Sequence, residues 1–110
     1  MAYDLELANR LRESLAAEPN TSEKAMFGGL AFMINGNLAV SVSGKGGLLL
    51  RVGPAETDAL AAEPHAERAV MGGRTMNGWL RIDPQGLEDD AVFDRWVRRG
   101  VAFARTLTPK

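Results

Sequence analysis

Apolar residues recur at helical spacing near the start of the chain. Tyr3, Leu7, Leu11 and Leu15 follow one another every four residues, and the charged side chains lie largely off that line. This pattern predicts an amphipathic helix of about four turns. Pro19 and Asn20 end it, and residues 21–24 are expected to form a loop.

The clearest helical pattern lies at the other end, over residues 91–107. Its wide apolar face carries Phe93, Trp96, Val97, Gly100, Phe103, Ala104 and Leu107. Asp89 or Asp90 is suited to cap the first turn. Because a glycine inside a helix costs roughly 1 kcal/mol relative to alanine, Gly100 predicts that another element packs closely against the helix backbone.

The centre of the chain predicts a β-hairpin. Asn35 and Gly36 stand between two apolar runs, and both residues tolerate the positive φ of a two-residue type I′ turn. The expected register pairs Ile34 with Asn37, and further along it pairs Phe32 with Ala39 and Leu30 with Ser41. Met33, Leu38, Val40 and Val42 would then share the other face.

Neither face of this predicted hairpin is polar, so we expect both to be covered by helices or by a second subunit. A single layer of three helices would leave one sheet face open, which predicts a homodimer. Gly28 and Gly29 stand where the first strand begins. Glycines there predict a bulge, a positive φ or the close approach of another backbone.

The remaining elements follow from turn residues and short apolar runs. Residues 44–47 are a glycine-rich turn, residues 48–52 a third strand, and residues 55–62 a short helix after Pro54. Residues 68–71 and 78–82 are expected to be two further strands. The chain therefore predicts an α+β fold in the order α-β-β-β-α-β-β-α, an antiparallel sheet with packed helices, and residues 1–110 as one domain.

Composition excludes several classes of protein. There are no cysteines, which excludes disulfides and thiolate zinc sites. The acidic start is unlike a signal peptide and no apolar run has the length of a membrane span, so we expect a cytoplasmic protein without membrane contact. A net charge of −1 argues against a non-specific nucleic-acid binder, which needs a positive field.

The search for reactive residues gives no catalytic site. His65 is the only histidine and follows Pro64 in a loop-like stretch, which is more typical of a solvated side chain than of a catalyst. Residues 44–47 lack the spacing of a phosphate-binding loop, and the acidic residues 88–90 are better explained by helix capping than by calcium. We predict no enzyme, no metal site and no cofactor.

The last helix presents the most notable surface feature. Arg95, Arg98, Arg99 and Arg105 fall on the arc opposite its apolar face. Such a set is most often the solvated face of an amphipathic helix. It is also the surface that we would expect to bind an acidic protein partner or nucleic acid.

One segment resembles a known family. The family signature is carried by Lys24, Met26, Phe27, Gly28 and Gly29, followed by the Asn35-Gly36 turn, and it is similar to that of the TfoX/Sxy N-terminal domain family. Weaker agreement continues through residues 48–53, through residues 78–82 and into Trp96 and Val97. The resemblance implies an α+β domain of the order given above, without transferable catalytic residues.

The resemblance also implies a function. The best-known family members are bacterial regulators of natural competence that work with the cyclic AMP receptor protein and carry a second, helical C-terminal domain. This chain is expected to be a stand-alone N-terminal domain that lacks that second domain. It is expected to act as a non-enzymatic regulator or adaptor that binds a protein of the transcription or competence machinery.

Two alternatives stay open. One is direct nucleic-acid binding through the arginine-rich helix. The other is a small-ligand-binding domain with a pocket around Trp79 and Arg81.

Overall fold

The computed structural model describes residues 3–26 and 28–110 as an α+β fold. Its helices and strands are α1 (Leu5–Ser14), β1 (Thr21–Met26), β2 (Gly29–Ile34), β3 (Asn37–Val42), β4 (Leu48–Arg51), α2 (Thr57–Ala61), β5 (Ala66–Met71), β6 (Arg74–Ile82) and α3 (Asp90–Arg105). Short 3-10 turns, Pro54–Glu56 and Pro84–Leu87, precede α2 and α3. The strands form one six-stranded antiparallel sheet in the order β1-β2-β3-β4-β6-β5, which confirms the predicted fold class.

All the helices lie on one face of the sheet. One core cluster joins the helices to the large apolar side chains of the strands. Its helical members are Leu7, Leu11 and Leu15 at α1 and Phe93, Trp96, Val97, Val101 and Ala104 of α3. Leu60 and Ala61 of α2 pack against the edge of that cluster. Across the described ranges, no helix is both long and apolar enough to cross a membrane.

The predicted central hairpin is confirmed at its turn. Asn35 and Gly36 have φ values of 52° and 81°, as a type I′ turn requires. Ile34 pairs with Asn37, as predicted. Beyond Met33, however, the predicted register is wrong, because Ala39 is an extra residue in β3 and Phe32 pairs with Val40.

This bulge decides which side chains meet the helices. A one-residue shift moves every later side chain to the opposite face. Leu30 therefore pairs with Val42. Val40 and Val42 lie with Phe32 on the helix-covered face, whereas the predicted register placed them on the opposite face. The opposite face keeps smaller or more polar residues, such as Ala31 and Ser41.

The segment from Thr21 to Lys24, predicted to be a loop, belongs to strand β1. Strand β1 pairs along its whole length with β2 and forms one edge of the sheet. Its residues are exposed except for the half-buried Met26. An exposed edge strand need not alternate apolar and polar residues, which is the pattern by which strands are predicted.

Helix α3 confirms its predicted cap and its close approach to the sheet, but it ends at Arg105, before Leu107 of the predicted apolar face. Phe103 and Leu107 are only half-buried. Asp89 is the N-cap, since its carboxylate accepts hydrogen bonds from the backbone N–H groups of Ala91 and Val92. Gly100 lies against the bulge in β3, where an added Cβ would be 2.7 Å from the carbonyl oxygen of Ala39. The absence of a side chain at Gly100 therefore lets the helix approach the sheet, as the sequence predicts.

The β5–β6 hairpin contains a wide irregularity. Arg68 pairs with Leu80, yet Val70 pairs with Thr75, so β6 has three more residues than β5 between these pairs. Gly78 lies in this segment with a φ of 88°. Its N–H donates to the buried Oγ1 of Thr57 in α2 at 2.9 Å.

Candidate functional site

The sheet face opposite the helices forms the main candidate binding surface, and we call it the helix-free face. One row of paired residues crosses it from edge to edge, and it consists of Lys24, Ala31, Ser41, Leu49, Arg81 and Glu67. The next row on the helix side, from Ala25 to Ala66, is apolar throughout. The two faces of one sheet thus differ sharply in chemistry.

The helix-free face still carries apolar side chains that water reaches. Met33, Leu49 and Trp79 are half-buried. Val70 is 61% exposed, which is the highest value for a large aliphatic residue in the described part of the chain. Apolar side chains that lie together on an open sheet face, unlike singly scattered ones, mark a candidate interaction surface.

Arg81 lies on β6, next to the edge strand β5, and is held by nearby acceptors. Its Nη2 donates to the carbonyl oxygen of Lys45 at 3.1 Å, and its Nη1 lies 3.4 Å from the Oγ of Ser43. Its Nε lies 4.0 Å from a carboxylate oxygen of Glu67. A cavity adjoins Arg81, but Trp79 does not line it; the guanidinium of Arg51 lies 5.5 Å from the Trp79 ring instead.

The arginines of α3 lie in two separate ion-paired groups. In the first group, Arg98 and Arg105 both bind Glu18, which follows α1, with N–O distances of 2.9 Å and 2.7 Å. The Arg98 guanidinium also donates to the Oγ of Ser14. These guanidinium groups hold the pKa of the Glu18 carboxyl below its ordinary value, mainly through the hydrogen bond from Arg105.

The second group lies toward α2. Arg99 binds the carboxylate of Glu63 at 3.0 Å and covers the ring of Trp96, whose centroid is 4.5 Å from the guanidinium carbon. Arg95 lies 3.7 Å from the same carboxylate and remains about half exposed. Both groups therefore connect α3 to the ends of the other two helices.

This arrangement changes how the arginine surface is interpreted. The sequence places Arg95, Arg98, Arg99 and Arg105 on one arc, and each of them has a carboxylate partner in the folded domain. Their charge is partly compensated, and they stabilise the contacts between helices. Binding of a partner by these four residues stays a prediction.

The family signature residues divide into two kinds. Gly28 has a φ of 76° in the turn after β1, and a Cβ on Gly29 would overlap the carbonyl oxygen of Val42, so both glycines are required by the backbone. Lys24 and Met26 stand on the helix-free side of β1, and Lys24 is exposed. Phe27 lies outside the described residues.

Reactive side chains do not converge in the folded domain. His65 is exposed, with a φ of 64°, and its carbonyl oxygen accepts a hydrogen bond from the N–H of Asp83. Within residues 3–26 and 28–110, no group of three or more histidine and carboxylate side chains could hold a metal ion.

The comparison with protein families agrees with this description. The family model of the TfoX N-terminal domain matches residues 13–104, which includes every strand of the sheet. No curated protein and no solved structure matches the chain. The TfoX domain family is not a known enzyme family. The match spans most of the 110 residues, and the chain therefore belongs to the TfoX N-terminal domain family.

Proposed function

We propose that this domain is a non-enzymatic regulator or adaptor of the TfoX/Sxy type that binds a protein of the transcription or competence machinery. The observation that carries the proposal is the one-sided packing of the sheet. Three helices cover one face, and the other face presents Met33, Leu49, Trp79 and Val70 without a helix over them. Half-exposed apolar side chains on an open sheet face contribute apolar area of the kind that a protein interface buries.

The charges on this face favour an acidic protein partner. Its cations include Lys24, Lys45 and Arg81, and Glu67 is a carboxylate in the same row as Lys24 and Arg81. Apolar residues separate these charges, which suits a protein surface with a mixture of apolar and acidic side chains. Nucleic acid would instead require a dense positive field, and the whole chain has a net charge of −1.

The arginine-rich side of α3 is the alternative location for the same function. Arg95 is the most exposed of its four arginines and has the longest ion pair, so changing it disturbs the packing least. Reversing its charge therefore separates a binding role of α3 from a structural one. Direct nucleic-acid binding by this helix stays a prediction with a test of its own, namely affinity that falls steeply with salt.

A second copy of the chain is another molecule that would cover the helix-free face. The homodimer expected from the sequence stays a prediction. Light scattering at micromolar concentration measures it directly, because a dimer doubles the mass. A monomeric mass would leave the face open for the proposed partner.

The experiment is a nuclease-treated pull-down from the native lysate, read by quantitative mass spectrometry. The baits are the wild type, Met33→Glu on the helix-free face, Arg95→Glu on α3, and Ala102→Glu as a matched control at an exposed helix position. We expect the wild type, Arg95→Glu and Ala102→Glu to retain a transcription regulator or a polymerase subunit that Met33→Glu loses. Loss on Arg95→Glu alone would move the interface to α3, and capture of no transcription protein would reject the proposed function.

A further inference from the structure

A cavity of about 340 Å³ opens on the helix-free face. Its lining comes from the β3–β4 turn, from the middle of the sheet and from the far end of the β5–β6 hairpin. The lining residues are Ser43, Lys45, Leu49, Ala69, Val70, Gly72 and Arg81. The volume lies at the lower end of the range for small-molecule pockets.

The lining of the cavity indicates that the β5–β6 hairpin bends. Arg81 pairs with Glu67, and in a straight strand at about 3.3 Å per residue Glu67 and Gly72 would lie about 17 Å apart. Gly72, which belongs to the hairpin turn, nevertheless lines the same cavity as Arg81. The three extra residues of β6 provide the bend, and the bond from Gly78 to Thr57 anchors it. The tip of the hairpin thus forms one wall and the sheet forms the opposite wall.

One end of the cavity is cationic. The Arg81 guanidinium is positioned by the Lys45 carbonyl and the Ser43 hydroxyl, and its contact with Glu67 is long, at 4.0 Å. The Lys45 side chain belongs to an exposed residue, and within the described ranges it has no carboxylate at ion-pair distance. Two cations against one distant carboxylate leave this end positive.

The rest of the cavity is apolar. Leu49 forms part of the sheet wall, and Ala69, which is 2% exposed, belongs to the hairpin wall with the exposed Val70. A pocket with an apolar body and a few convergent polar groups is the usual design of a small-molecule site. The charged end fixes the orientation of a ligand, and the apolar walls favour a hydrocarbon body.

We propose that this cavity binds a small amphipathic carboxylate, with its carboxylate at Lys45 and Arg81 and its apolar body between Leu49 and Val70. This site shares Lys45, Leu49, Val70 and Arg81 with the surface proposed to bind a protein, whereas Met33 and Lys24 do not line it. Ligand binding is measured on the isolated chain without that partner, so the two proposals can fail separately.

Octanoate is the probe for the test. Octanol, which lacks the charge, and acetate, which lacks the apolar body, are the matched controls. We expect octanoate to cause saturable amide shifts in the ¹⁵N-labelled full chain, confined to residues 43–49, 69–72 and 81. Octanol and acetate should each bind at least tenfold more weakly. Octanoate that gives no saturable shifts, binds no more tightly than octanol, or shifts a different part of the chain would overturn the proposal.

Two exposed positions test the two ends of the cavity. Lys45→Gln should weaken octanoate binding at least fivefold, and Val70→Asp should weaken it at least tenfold by placing a carboxylate in the apolar part. Lys24→Gln is the matched control, since Lys24 is on the same face but does not line the cavity. Unfolding temperatures close to that of the wild type establish that the variants fold. Wild-type affinity in both cavity variants, or an equal loss in Lys24→Gln, would contradict the assigned site.

Discussion

Gly100 of α3 packs directly against the carbonyl oxygen of Ala39, the residue that forms the bulge in β3. A Cβ on Gly100 would be 2.7 Å from that oxygen, closer than side-chain carbon atoms come to backbone. The bulge supplies the unpaired residue, and the glycine supplies the space for it. This contact sets how closely the helix layer approaches the sheet.

The first prediction concerns this contact. Gly100→Ala should lower the free energy of unfolding by about 2 kcal/mol, because the cost of overpacking against backbone exceeds the helix propensity gained. Chemical denaturation measures the change. The control is Ala102→Gly at an exposed position of the same helix, which should cost about 1 kcal/mol from propensity alone. An alanine variant at Gly100 as stable as the wild type would show that the helix can move away from β3.

The two signature glycines should respond differently to alanine. Gly28→Ala should cost about 1–2 kcal/mol, since its φ of 76° is left-handed but nothing lies within 4 Å of the added Cβ. Gly29→Ala should cost about 3 kcal/mol or more, because its Cβ would overlap the backbone of Val42. Thermal unfolding of both variants gives the comparison. Equal costs would mean that β3 moves away from the added Cβ, and that its close approach does not explain the glycine at position 29.

Thr57 anchors the bend of the β5–β6 hairpin from a fully buried position. Its Oγ1 accepts from the N–H of Gly78 and donates to the carbonyl oxygen of Gly53. Thr57→Val keeps the shape but leaves both groups unsatisfied, so we expect a loss of about 2 kcal/mol in the free energy of unfolding. Thr57→Ser retains the hydroxyl and serves as the control. Faster amide exchange at Gly78 in the valine variant alone would support the anchoring role, and unchanged exchange there would contradict it.

Glu18 should make stability dependent on acid pH. Its folded pKa lies below the ordinary value of 4.5, because Arg105 and Arg98 favour the carboxylate. The unfolded state therefore takes up the proton first as the pH falls. The stabilisation is fully present above about pH 4.5 and is lost as the pH falls through the folded pKa.

Glu18→Gln tests this dependence. At pH 7 it should lower the free energy of unfolding by about 1 kcal/mol, which is the upper range for a partly exposed ion pair. The difference from the wild type should shrink as the pH falls well below 4. Glu23, whose pKa Arg12 lowers mainly by a hydrogen bond, is unchanged by this substitution and contributes the same acid dependence to both proteins. A difference that stays constant between pH 7 and pH 3 would refute the ion-pair explanation.

The local pattern of the chain was sufficient for most elements. The Asn35-Gly36 turn, the cap at Asp89 and the apolar face of α3 each depend on residues close in sequence, and the structure confirms all three. The close packing predicted at Gly100 is also confirmed. A glycine in the buried face of a helix is seldom present for any other purpose. These features follow from the helical spacing of apolar residues and from the backbone preferences of turn and cap residues.

Other features depend on contacts that the pattern does not contain. The bulge at Ala39 is one inserted residue without a local marker, and it reverses the predicted faces of Val40 and Val42. The partners of Arg98 and Arg99, Glu18 and Glu63, are 80 and 36 residues away. The bend that forms the cavity lies in a hairpin whose residues 74–77 were not predicted to be a strand, although Gly78 and the Gly72-Gly73 turn mark its irregular backbone.

The most direct test of the central claim is site-specific photo-crosslinking in the native host. A benzoylphenylalanine placed at Met33 reports contacts of the helix-free face, and one placed at Ala102 reports contacts of the helix layer. We expect the Met33 position to crosslink a transcription regulator or polymerase subunit and the Ala102 position to give no such product. Crosslinking of that protein from Ala102 and not from Met33, or of no transcription protein from either position, would contradict the account.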